Sequence, residues 1–171
     1  VVRHNERCGS FFIFEQMKDL KYLAAYTIPL ATVISIDSRG WLTFSTVLFA
    51  LLIIPITELV VGKDSKNLSS KEAENAGAKK IFDFMLYLNE PIVYGLLYWA
   101  LTKISSVEYS FFELLGLSLS TGTLLATNAI NVAHELGHRK SVFERTLSKT
   151  LYIPCLYMHF YIEHNFGHHL K

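Results

Sequence analysis

Charge is scarce in this sequence. Asp, Glu, Lys and Arg make up 18% of its 171 residues, against 51% hydrophobic residues; a soluble globular domain carries about 25% charged residues. The formal net charge is only +1, which excludes a bulk electrostatic pull towards nucleic acid or acidic partners. Cysteine is nearly missing too. Cys8 and Cys155 stand far apart, which excludes a disulfide framework and a cysteine metal site and leaves two free thiols. The first 21 residues are polar and charged, with no apolar segment ahead of a small-residue cleavage site, so no secretory signal is read. Internal repeats and low-complexity tracts are lacking as well. The length suits one domain.

What is present is a series of apolar runs at 22–36, 41–61, 84–102 and 111–133, with a weaker fifth at 147–162. Three of the first four approach or exceed the roughly 20 residues that a helix needs to cross a bilayer core. They lack the polar face of a soluble core helix. Trp41, Tyr98 and Trp99 lie near run ends, where aromatic belts form. The polar segments between runs give a separate test. Lys and Arg number four before the first run, then one in 37–40, five in 62–80, one in 103–110 and four in 139–149. By the positive-inside rule the rich segments are cytoplasmic. The sequence therefore predicts an all-α, multi-pass transmembrane helical bundle. Residues 1–171 form a single integral membrane domain, with the N-terminus and the segment from His134 on the cytoplasmic side. The short 37–40 link predicts a tight hairpin between the first two spans. Because the chain starts at Val1 and stops at Lys171 beside a histidine pair, it is read as an N-terminal piece of a larger protein.

Five of the seven histidines fall in two short clusters, His134-Glu135-Leu136-Gly137-His138 and Glu163-His164-Asn165-Phe166-Gly167-His168-His169. Residues at i and i+4 share one helix face, which pairs His134 with His138 and His164 with His168. His169 is turned about 100° further, towards a second ion or another side of the first. Neutral imidazole suits Zn, Cu, Fe and Ni. His4, in the charged N-terminal tail, reads as a solvated side chain, and His159 as a packed or interfacial one. The first cluster alone also satisfies H-E-x-x-H, two zinc ligands with a glutamate base, which is an intramembrane protease reading. A zinc protease needs three protein ligands and an open position. It has no use for three more histidines, and so many imidazoles predict a di-metal site. A metal transporter would instead place ionisable residues at mid-membrane, whereas these histidines sit at run ends.

The stretch NVAHELGHRK followed by YIEHNFGHH resembles the membrane-bound non-haem di-iron alkane monooxygenases, the alkane hydroxylase type, within a wider group of histidine-rich membrane hydroxylases and desaturases. The resemblance runs from about residue 22 to the end and includes the hairpin and the stretch from Pro55 to Glu58. E-H-x-x-G-H-H is the alkane hydroxylase form of the second motif. Departures are Phe166, where a basic residue is common, and Arg139 in place of a common lysine. A third H-x-x-H-H cluster and an N-Y-x-E-H-like motif are expected downstream of Lys171. The resemblance implies two iron ions held by His134, His138, His164, His168 and His169. It also implies terminal hydroxylation of alkanes to 1-alcohols with dioxygen and rubredoxin-supplied electrons, in the inner (cytoplasmic) membrane. The alternative on the same scaffold is a fatty-acid desaturase or hydroxylase. Around the ligands, Glu135 and Glu163 are read as orienting an imidazole N–H, with an ion pair to Arg139 left open for Glu135. Asn131 stands beside them. Ala50 and Glu58 are assigned to the substrate channel, with lipid or the interface as the other reading. Arg139 and Lys140 either fix topology or attract an acidic donor protein.

Overall fold

The computed structural model describes residues 20–61 and 80–168. They are all-helical, with no strand among them. Helix α1 runs as a 3-10 turn, Leu20–Tyr26, into Thr27–Asp37. Helix α2 covers 40–61, α3 is Lys80–Ser106, and α4 covers 111–137. Helix α5 is Val142–Tyr152, and α6 is Met158–Ile162, continued by a π segment, Glu163–His168.

Two turns meet at one end. Gly40 has φ 59°, a left-handed conformation that glycine adopts without a Cβ penalty, and it lets α1 reverse into α2. Its N–H donates to Glu113 Oε1 at 2.9 Å. The same carboxylate accepts the Ser110 N–H, and the Ser110 hydroxyl accepts from the Glu113 N–H, closing a capping box at the start of α4. Arg39 lies 3.6 Å from Glu113 and donates to the Glu108 carbonyl, while Lys103 pairs with Asp37 at 3.1 Å. At the opposite end Tyr26 Oη donates to the Met85 carbonyl and Arg139 pairs with Asp83 at 3.4 Å. Helices α1 to α4 thus alternate in direction, and the 134–138 motif lies at the end opposite both short turns.

The packing is inverted relative to a soluble domain. Between α1, α2 and α4 the buried centre is hydroxyl-rich. Ser35 Oγ meets Thr46 Oγ1 at 3.0 Å and Ser120 Oγ at 3.2 Å, Thr46 Oγ1 meets Thr32 Oγ1 at 3.2 Å, and Ser120 Oγ donates to the Thr43 carbonyl at 2.8 Å. Small hydroxyl residues let helices approach closely and bond across the contact. Large apolar side chains face outward, Leu59 at 84% exposure and Leu51 at 68%. Among the described residues one helix, Gly40–Val60, is long and apolar enough to cross a membrane, and Leu23–Asp37 is a shorter apolar helix. Helix α4 buries Ser120, Thr121 and Asn128 within its expected span.

The weak fifth run at 147–162 is not one helix. Pro154 lacks an amide donor, Leu156 adopts φ 52°, and the chain turns between α5 and α6. Helix α5 instead packs on the last turns of α4. Ser148 Oγ donates to the Ala133 carbonyl at 2.6 Å, and Leu151 and Tyr152 are buried in a cluster with Ala129, Ala133 and Leu136. The turn brings α6 back beside the first histidine motif.

Candidate metal centre

His134 lies in the final α segment of α4, Asn131–Gly137, and His138 caps it. Their Nε2 atoms are 3.1 Å apart. His164 opens the second motif from the far side of the α5–α6 turn, with its Nε2 3.2 Å from that of His138. The ligand atoms of all three lie within 4.8 Å of one another. Phe160 stacks on His164 with centroids 4.9 Å apart and planes at 15°, and its ring lies 5.9 Å from that of His134. One aromatic side chain thus backs two of the imidazoles.

By the chemistry of its donors, neutral imidazoles, this set suits a first-row metal ion. Nitrogens bound at about 2.1 Å to one ion stand roughly 3.0 Å apart at a right angle and about 3.4 Å apart at the tetrahedral angle. The two short nitrogen separations fall in that interval. Without an ion, such contacts require complementary tautomers on neighbouring rings.

The other sequence assignments fall as follows. His168 closes the π segment and its side chain is outside the description, while His169 and His4 lie outside the described residues. His159 is exposed and packs edge-on against Tyr157. Glu135 makes the i,i+4 ion pair with Arg139 at 3.2 Å. Glu163 is exposed at the start of the π segment. Asn131 lines a cavity of about 640 Å³ between α1, α2, α3 and α4. Ile28, Ile54, Met85, Leu86 and Val132 form apolar walls, and Glu135 and Arg139 bring the cavity to the histidine end. Ala50 and Glu58 do not line it; α2 contributes Ile54 instead. Helix α2 passes through a π segment, Phe49–Ile53, immediately before Ile54. Sequence reasoning also missed Phe160, Asn89 and Asn128. The two asparagines were visible as amides inside runs judged only by their lack of charge.

No family model matches the chain. Curated relatives do. The chain is 31% identical over 135 residues to the alkane 1-monooxygenase of Pseudomonas putida, covering 78% of this chain and 33% of that protein. It is 30% identical over 143 residues to alkane 1-monooxygenase 1 of Alcanivorax borkumensis, covering 82% and 35%. It is 31% identical over 120 residues to the alkane 1-monooxygenase of Acinetobacter baylyi, covering 70% and 29%. Fold and site define an all-helical protein with an imidazole cluster of metal-ligating geometry. The chain belongs to the alkane monooxygenase family. It spans about a third of the length of these curated relatives.

Proposed function

We propose that this chain forms part of a membrane alkane 1-monooxygenase. The reaction converts an alkane, dioxygen, two electrons and two protons to a 1-alcohol and water. Two iron ions, when bound, supply the dioxygen chemistry, with electrons delivered by rubredoxin. His134, His138 and His164, joined by His168 and His169, hold the metal. They ligate as neutral imidazoles, so metal retention weakens as pH falls. The observation that carries the reading is the convergence of imidazoles from two motifs, on the same last turns of α4 from which Asn131, Val132 and Glu135 line a largely apolar cavity. The apolar walls of the cavity suit an alkyl chain. Full-length protein given n-octane, dioxygen and reduced rubredoxin is expected to form 1-octanol. An alkene as the main product points instead to the desaturase reading.

The cavity sets a size test. Replacing Ile54 with Trp is expected to lower turnover of long alkanes before that of short ones, because the ring takes up space along the wall. Rates across a chain-length series check this. A uniform fall at every length indicates damaged packing, and unchanged rates place Ile54 outside the substrate path.

The same reading places residues 1–171 in one multi-pass domain of the inner membrane, with the N-terminus and histidines cytoplasmic. The outward apolar surface and inward hydroxyls support it. So does the uneven distribution of Lys and Arg. A location reporter fused after Lys71 is expected to signal cytoplasm, and one after Ser106 the outside. The same signal from both contradicts an odd number of crossings between them.

A further inference from the structure

We propose that Asn89 and Asn128 are positioning residues for the metal centre. Their amide pair pins a π segment in α4 and thereby sets the rotation at which His134 and His138 meet His164. The inference rests on the reading of these histidines as metal ligands.

Helix α4 changes winding twice. It is α over Phe111–Leu124, π over Leu125–Ile130, and α again over Asn131–Gly137. Its first segment is fixed against α1 and α2 through Gly116 and Ser120. Its last segment carries both histidines of the first motif. A π turn accommodates one more residue than an α turn, and one residue corresponds to about 100° of rotation. If 125–130 relaxed to α winding while the first segment stayed docked, His134 and His138 would turn by about that angle, away from His164.

Something must hold the wider turn, and the buried amides are placed to do so. Asn128 sits inside the π segment and is 5% exposed. Its Nδ2 donates to Asn89 Oδ1 on α3 at 2.9 Å and to the Ala25 carbonyl on α1 at 3.3 Å. Its Oδ1 lies 3.0 Å from Thr127 Oγ1, whose single proton is shared between that oxygen and the Thr123 carbonyl at 2.8 Å. Asn89, also 5% exposed, donates from Nδ2 to the Met85 carbonyl at 2.9 Å. One amide in the bulge is thus tied to two neighbouring helices. Buried amides are costly in apolar surroundings unless bonded, and here the bonds converge on the one stretch whose winding sets the phase of the motif.

The test compares cobalt(II) affinity and its ligand-field absorption in full-length protein, with folding followed by circular dichroism and melting. The decisive variant carries Asn89→Leu and Asn128→Leu together. Removing both partners leaves no orphaned amide, so a merely structural role predicts recovery of the site once the pair is apolar. The positioning role predicts a folded double variant with cobalt affinity lowered by about tenfold or more, the scale on which outer partners of metal ligands act, and with an altered spectrum. Deleting Ala129 removes the extra residue of the wider turn, so 125–130 can wind as α with His134 and His138 in their present phase; added to the double variant, the deletion is expected to restore affinity, and alone it is expected to keep affinity, which decides the matter if the double variant does not fold. Parental affinity and spectrum in the folded double variant, or lost affinity in a folded variant carrying the deletion alone, overturn the positioning role alone. A parent protein that binds no cobalt overturns the histidine reading and this inference together.

Discussion

Alanine in place of His138 is expected to abolish alkane hydroxylation and to strip the metal centre while leaving the helices intact. His138 is the imidazole whose Nε2 approaches both of the others, at 3.1 Å to His134 and 3.2 Å to His164. Its removal leaves His134 and His164, one imidazole from each motif, without the ring whose Nε2 approaches both. The loss in iron affinity should exceed the roughly 10–100-fold typical of changes to a ligand's outer partner, because a ligand itself is gone. Folding should tolerate the change, since His138 caps the helix at an exposed position and fills no core space. Bound iron, 1-alcohol formation and helix content in the purified variant check this. His159→Ala is the matched control. That ring is exposed, packs on Tyr157 and is not among the three grouped imidazoles, so both iron and activity should be retained. A His138 variant with full iron and normal turnover would remove it from the site.

The second large effect is on the fold. Gly116 lies where α4 crosses the start of α2. A Cβ there would stand 2.7 Å from carbons of the Phe44 ring and would collide with Thr43 Oγ1. Both neighbours are held. Thr43 is buried, and its carbonyl accepts from Ser120. The Phe44 ring packs with those of Trp41 and Phe112 at 6.3 and 4.8 Å. Gly116→Val should therefore destabilise by about 1–3 kcal/mol or more, the usual scale of overpacking. A clear drop in melting temperature and in membrane-integrated yield is expected. Gly122→Ala meets nothing within 4 Å and exchanges glycine for a better helix former, so it should be neutral or mildly stabilising. Equal melting temperatures for the Gly116→Val variant and the parent would show that α4 does not pack on α2 as described.

Some of this organisation was legible in the sequence because it depends on local spacing. His134 and His138 are four residues apart, and α winding over Asn131–Gly137 puts them together as read. The tight 37–40 link follows from a short polar gap with a glycine at its end. His164 is different, since its approach to His138 depends on the reversal at Pro154 and Leu156. A hydrophobicity count through 147–162 passes over that break. Ala50 and Glu58 remain proposed channel residues; α2 presents Ile54 to the cavity, and its Phe49–Ile53 stretch is π-wound, a departure from α winding that composition does not show. The same irregularity in α4, at Leu125–Ile130, hid the part played by Asn128. Composition registers that residue as uncharged, while its partners on α1 and α3 lie 103 and 39 positions away.

Iron K-edge X-ray absorption on the full-length protein tests most directly whether these histidines form an iron centre. The account predicts a shell of nitrogen and oxygen ligands near 2.1 Å with outer scattering from several imidazoles, and a loss of that imidazole signal together with the iron in the His138→Ala variant. Iron that is absent from active protein, or bound with an unchanged imidazole signal in that variant, would contradict it.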